Sequence, residues 1–162
     1  MVVSHVQLEP GESVFVSVCH TFAGRIVRGN PDFNLDCLIN NNLGTWVELS
    51  WEWQPSTTSW GDVSLLEGCD GAVVLVATDR SGSSTGFSDN ILAGAPFSAL
   101  SNKPDGSLAL AKTVGETANY VALQYELGLL DPRTQAFIVQ TLKPVIATSN
   151  GRWDLTVYPG TY

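Results

Sequence analysis

Glu48 and Asp62 are two carboxylic acids that the sequence predicts on one face of a β-sheet. Residues 46–53 alternate in polarity with the period of two expected of a strand. Pro55 ends this strand because proline has no N–H to donate, and residues 56–59 supply a polar turn. The two acids then occupy comparable positions on the two arms of a hairpin. Paired carboxyl groups are what a glycosidase uses for its acid and its base or nucleophile.

The same hairpin holds four of the five tryptophans, which are Trp46, Trp51, Trp53 and Trp60. Indole rings bury large areas, so one interpretation is that all four are core residues. Alternation, however, places Trp46 on the face opposite Trp51 and Trp53, so the four rings do not share one core layer. Some of them therefore line a pocket, an interface or solvent. Aromatic walls with few polar groups are typical of a small-molecule site, and equally of a platform for stacking sugars.

The sequence lacks the motifs of several other common kinds of catalytic or cofactor-binding site. The chain has no phosphate loop, no Gly-x-Ser-x-Gly and no His-Glu-x-x-His. Cys19 and His20 are neighbours on a predicted strand, so their side chains point to opposite faces and form no dyad. The cysteines, Cys19, Cys37 and Cys69, are odd in number and allow at most one disulfide. The two histidines are poorly placed to complete a metal site, so we expect no metal and no cofactor.

Length and composition exclude several classes of protein. The 162 residues predict a single domain over 1–162, long enough to bury its own core. With 44% hydrophobic and 15% charged residues, the chain is not expected to be disordered. A net charge of -8 without a basic stripe argues against nucleic acid as a partner. No apolar run is long enough to span a membrane, and the opening residues lack the pattern of a signal peptide.

Strand signals at short intervals predict a mainly β fold, an antiparallel β-sandwich with one packed α-helix near residues 116–130. Both faces of the predicted strand 13–19 are apolar, so we expect it to be covered on both sides. The helix is predicted to start at a Thr117 cap and to end at Asp131-Pro132. Its buried face is predicted to hold Ala118, Val121, Ala122, Tyr125 and Leu129. The predicted strands cover 2–8, 13–19, 22–27, 46–53, 60–66, 71–77, 107–113 and 153–158.

Four short motifs, in order and with similar spacing over residues 8–70, resemble those of thaumatin-like (osmotin) proteins. Leu8-Glu-Pro-Gly-Glu-Ser13 is similar to their Leu-x-x-Gly-Glu-Ser turn, and Ala23-Gly-Arg-Ile26 to their Gly-Gly-Arg-Ile-Trp. Thr45-Trp-Val-Glu-Leu49 resembles their Thr-Leu-Ala-Glu-Phe. Trp60-Gly-Asp-Val-Ser-Leu-Leu-Glu-Gly68 resembles their Tyr-Asp-Val-Ser-Leu-Val-Asp-Gly. The resemblance implies a thaumatin-like sandwich, and residues 68–87 resemble the short fungal branch of the family more than the disulfide-rich plant branch.

The resemblance also implies site residues. Thaumatin-like proteins carry an acidic cleft built from an arginine, a glutamate and several aspartates, and some of them bind or slowly cleave β-glucans. Their arginine matches Arg25, their glutamate Glu48 and their first aspartate Asp62, while the second aspartate position holds Glu67. The last aspartate has no match here. The candidate catalytic residues are therefore Arg25, Glu48 and Asp62, and the candidate substrate-binding residues are Glu67 and the four tryptophans of the hairpin.

In size, cysteine content and apolar character the chain resembles small fungal proteins of secondary-metabolite pathways. These include enzymes that join a quinone methide to a terpene by hetero-Diels–Alder addition in tropolone sesquiterpenoid biosynthesis. Such a reaction needs two apolar partners in a reactive geometry and a donor that polarises a carbonyl oxygen. A pericyclase-type enzyme without a cofactor, acting on an apolar small molecule, is our leading hypothesis.

Two other hypotheses stay open. One is a secreted glycan-binding or weakly hydrolytic thaumatin-like protein, whose signal peptide was removed from the natural precursor. The other is an interaction module that forms a homodimer through exposed tryptophans.

Overall fold

The computed structural model describes residues 5–29, 43–52 and 56–160. Within these ranges the fold is mainly β, with one α-helix, as the sequence predicts. No helix in this part of the chain is long and apolar enough to cross a lipid bilayer. The elements are β1 Ala23–Val27, β2 Trp46–Trp51, β3 Ser59–Ser64, β4 Gly71–Ala77, β5 Ser84–Phe87, β6 Leu100–Asn102, β7 Leu108–Leu110, α1 Tyr120–Leu129, β8 Ile146–Thr148 and β9 Trp153–Gly160.

The strands form three antiparallel sheets, ordered β1-β2-β3-β8, β5-β4-β9 and β6-β7. The two larger sheets share one core, because Val47, Leu49 and Val63 from the first are buried together with Val73 and Leu75 from the second. The buried residues of β2 recur at every second position, as the alternation of its sequence predicts, whereas β4 was predicted from a continuous apolar run and is mostly buried.

Gly61 of β3 is a point of close approach between these sheets. A Cβ atom added there would lie 2.6 Å from Leu75 Cδ2 and 2.8 Å from Leu49 Cδ2. Nearby, the indole Nε1 of Trp153 donates a hydrogen bond to Ser59 Oγ at 2.9 Å. Glycine at position 61 therefore lets β3 pack closely against β4, while the Trp153 bond ties β9 to the start of β3.

Asp70, just before β4, is a buried carboxylate that joins several elements. It accepts hydrogen bonds from the Thr45 N–H at 3.0 Å and from Lys103 Nζ at 2.5 Å, and Arg28 Nε lies 3.9 Å away. These partners precede β2, follow β6 and follow β1, respectively. The Arg28 guanidinium also lies against glycine backbone, since a Cβ on Gly71 would approach its Nη2 to 2.6 Å. Asp70 thus pairs closely with Lys103, lies near Arg28, and links the segments next to three strands.

Two predicted strands are wrong. Residues 5–8, the described part of the first, and residues 13–19 are not in strands. Val14, Phe15 and Val16 are exposed rather than covered, Phe15 to 83%. Apolar alternation makes a strand only where a partner strand is hydrogen-bonded to it, and none is found for this segment in the described ranges. Residues 32–43, whose asparagine-rich sequence predicts a loop, fall almost entirely outside the described residues.

The helix is shorter than predicted, and a different face of it is buried. It begins at Tyr120 because the side chain of Asn119, not Thr117, caps it by accepting from the N–H groups of residues 121 and 122 at 2.9 and 3.0 Å. The predicted buried face is wrong in part, since Val121 and Leu129 are 44% and 52% exposed. The fully buried positions are Ala122 and Glu126. An unpaired buried carboxyl breaks the usual pattern of an amphipathic helix, so the pattern could not reveal this face.

Asp70→Asn is expected to lower the free energy of unfolding by about 3–5 kcal/mol, because Lys103 is then left buried without its counter-charge. Urea unfolding followed by tryptophan fluorescence measures this change. The matched control Asp89→Asn alters an exposed aspartate and should change the free energy by less than about 0.5 kcal/mol. Equal effects of the two substitutions would show that Asp70 does not hold the elements together.

Candidate functional site

Three strands place Arg25, Glu48 and Asp62 in one row across the first sheet. In the antiparallel register Arg25 lies opposite Glu48, and Glu48 lies opposite Asp62. Directly opposed residues share a face, so the three side chains stand on the same side of the sheet. Val47 and Leu49, of the opposite parity on β2, are buried in the core. The row therefore lies on the side turned away from the core.

Two of the tryptophans flank this row on the same side. Trp46 lies opposite Ser64, and Trp60 lies opposite Ser50. Each tryptophan is two residues along its strand from the row, Trp46 on β2 and Trp60 on β3. Trp60 is 37% exposed. We call the surface formed by Arg25, Trp46, Glu48, Trp60 and Asp62 the outer face. The prediction that the two carboxyl groups share one face with indole rings is confirmed by this register.

Arg25 stacks on one of the flanking rings. Its guanidinium carbon lies 3.8 Å from the centroid of the Trp46 ring, a cation–π contact worth about 0.5–1 kcal/mol at a partly exposed site. The contact orients the guanidinium on the β1 side of the row, while Asp62 lies on the β3 side. The outer face therefore has a cationic end and an acidic end, with Glu48 between them.

Asp62 is the residue on the outer face whose surroundings best suit it to take part in a reaction. Its Oδ1 atom is buried and has no hydrogen-bond partner. Burial raises the pKa of Asp62 to about 7, and the negative charge of Glu48 contributes to the rise. At neutral pH Asp62 is therefore protonated in about half of the molecules, and a protonated carboxyl group can donate a hydrogen bond or a proton.

The structure separates the other sequence-predicted site residues from the outer face. Trp51 has the opposite parity; it packs edge-on against Phe22 at 5.7 Å between centroids and donates from Nε1 to the Gly151 carbonyl at 3.0 Å. Glu67 lies in the turn beyond β3 and forms an ion pair with Lys112. Trp53 lies outside the described residues.

One residue of the outer face was missed by the sequence analysis. Ser50 shares the parity of Glu48 on β2 and lies opposite Trp60, so its hydroxyl belongs to the same surface. Its position in the alternation was the available signal. Nowhere in the described ranges do three or more side chains of His, Cys, Asp and Glu gather into a group that could hold a metal ion.

No family model matches this chain, and no curated protein matches it either.

The pKa of Asp62 should fall when the neighbouring charge is removed. In Glu48→Gln we expect it to drop below about 7 but to stay above the ordinary value of 3.8, because the burial remains. Carbon-detected NMR titration of the Asp62 carboxyl measures this. Glu116→Gln, which removes an exposed acid before α1, is the matched control and should leave the titration unchanged. An ordinary pKa in the unmutated protein would contradict the described environment.

Proposed function

We propose that this protein is a thaumatin-like β-sandwich enzyme that joins two apolar small molecules on its outer face. The reaction that fits best is a hetero-Diels–Alder addition between a quinone methide and a sesquiterpene, without a cofactor. The observation that carries the proposal is Asp62, whose buried oxygen lacks a partner and whose pKa of about 7 keeps a proton available beside Trp60.

The outer face has features that suit a hetero-Diels–Alder addition. A hetero-Diels–Alder addition forms one C–C and one C–O bond together and releases no proton, so it requires positioning and polarisation rather than a base. The exposed ring of Trp60 offers an apolar wall on which a flat electrophile can stack. Holding two reactants in the productive geometry can supply several kcal/mol of the barrier lowering.

Protonated Asp62 would donate a hydrogen bond to the carbonyl oxygen of the quinone methide, which gains negative charge in the transition state. One such donor is typically worth about 10²–10³ in rate. Glu48 would act through Asp62, because its negative charge favours the protonated form of its neighbour. Arg25 would be a positioning residue that holds the Trp46 ring against the sheet.

Glycan binding with weak hydrolysis is the second candidate function, favoured by an exposed tryptophan beside two acids. A glycosidase holds its two carboxyl groups on either side of the scissile bond. Glu48 and Asp62 instead stand side by side in one row and project in the same direction. This arrangement fits two acids that influence each other's protonation better than it fits a sugar bound between them.

Product analysis with substituted proteins tests the proposal. A quinone methide released in solution and a hydroxylated humulene are incubated with each protein, and the cycloadducts are separated by chiral chromatography. Asp62→Asn should retain activity within about tenfold, because the amide still donates a hydrogen bond, whereas Asp62→Leu should lose about 10²-fold. Trp60→Ala should abolish stereoselectivity.

Tyr120→Ala is the control, since it removes an exposed aromatic ring from α1, away from the first sheet. It should leave rate and selectivity unchanged. A soluble β-glucan oligomer is assayed in parallel. If Asp62→Asn abolishes glucan cleavage while no protein affects the cycloaddition, the glycan hypothesis replaces the proposal.

A further inference from the structure

Glu126 is a buried acid that the outer face does not use. It lies on α1, is 0% exposed, and neither of its carboxyl oxygens has a hydrogen-bond partner. Cys69, also 0% exposed, belongs to the same buried core cluster as Ala122, one turn before Glu126 on α1. Burial raises the pKa of Glu126 to about 9 and that of Cys69 to about 12, the latter with a contribution from the Glu126 charge. Both groups are therefore held in the neutral form at pH 7.

The groups around Glu126 offer it no compensating charge. Beyond Cys69 lies Asp70, which is already paired with Lys103 and Arg28. The 3-10 turn Phe97–Ala99, which packs against α1, contains no charged residue. On α1 itself the neighbouring Tyr125 donates its hydroxyl hydrogen to the Ile91 carbonyl at 2.9 Å. In the described part of the chain, an ionised Glu126 would therefore be a buried charge without a partner.

We propose that Glu126 is a proton-operated latch: while its carboxyl group is neutral, α1 lies against the core cluster that contains Cys69, and its ionisation releases α1 and uncovers that thiol. The helix shares part of its packing with the sheets, because Ala122 belongs to the core cluster that also contains Val63 and Leu75. The release is nevertheless local, because the hydrogen-bonded ladders of the sheets do not involve α1. The helix depends on its buried Ala122 and Glu126, the Tyr125 bond and the Asn119 bond to the Ser98 carbonyl. The sheets depend on Asp70 and on their own ladders, and elements with few buried contacts open first.

The direction of the pH dependence follows from proton binding. The pKa of Glu126 is about 9 with α1 docked and close to the ordinary 4.5 once the carboxyl group reaches water. The docked state therefore binds more protons than the released state, and docking is strongest below about pH 4.5. Each unit of pH above that value shifts the equilibrium toward release by about tenfold, until the effect is complete above about pH 9.

The test is the alkylation rate of Cys69 by iodoacetamide, resolved by mass spectrometry of peptides, between pH 6.5 and 8.5. Glu126→Gln is nearly isosteric but cannot ionise, so comparing it with the unmutated protein at each pH cancels the pH dependence of the thiol itself. The ratio of the two Cys69 rates, unmutated over Glu126→Gln, should rise about a hundredfold across this range. Exposed Cys19 is an internal reference and should react alike in both proteins. The control Glu116→Gln should behave like the unmutated protein.

Parallel Cys69 rates in the unmutated protein and Glu126→Gln would overturn the latch. So would a loss of the tryptophan fluorescence signal of the folded sheets in step with Cys69 labelling, because that result means global unfolding. Glu126→Met provides a second variant without charge and should also remove the pH dependence. If neither variant folds, the unmutated protein alone decides: a Cys69 to Cys19 rate ratio that stays flat between pH 6.5 and 8.5 contradicts the proposal.

Discussion

The register of β2 between β1 and β3 is the constraint on which the outer face depends. A slip of one residue would turn Glu48 toward the core and Val47 toward solvent, because side chains alternate across a strand. Both ends of β2 are fixed against this slip. At its start, Thr45 donates its N–H to Asp70 and its hydroxyl hydrogen to the Gly71 carbonyl, at 3.0 and 2.7 Å. At its end, the Trp51 indole donates to the Gly151 carbonyl.

Three acids show how the same fold sets carboxyl groups to different tasks. Asp70 is buried among partners, since Lys103, Arg28 and the Thr45 N–H surround its carboxyl group. Asp62 is half-buried beside another acid, so its proton is lost only near neutral pH. Glu126 is buried with no partner and stays neutral at pH 7. Their differences follow from burial and neighbours rather than from residue type, and they suit the first to structure, the second to chemistry and the third to a conformational response.

Much of the site was predictable because alternation fixes the face of every residue once a strand is assigned. The strands that carry Arg25, Glu48 and Asp62 were predicted, and the same parity separated Trp46 from Trp51. The register itself could not be derived, since it depends on the distant contacts of Thr45 and Trp51. The segment 13–19 shows the limit of such patterns: its sequence predicts a strand with two apolar faces, but it has no hydrogen-bonded partner strand in the described ranges.

Helix α1 shows a second limit. Sequence periodicity assumes that buried positions are apolar, and the burial of Glu126 violates that assumption. The behaviour of a buried acid depends on whether its oxygens have hydrogen-bond partners. Those of Glu126 and one of Asp62 have none, and this is known only from the three-dimensional structure.

The proposed reaction requires that ligands bind on the outer face. Titrating a nitrogen-15 labelled sample with a hydroxylated humulene, while recording the indole N–H resonances by NMR, tests it most directly. We expect the resonances of Trp60 and Trp46 to shift saturably, while those of Trp51 and Trp153, bonded to Gly151 and Ser59 on the core side, stay in place. Shifts confined to Trp51 and Trp153 would contradict it and place the ligand between the sheets.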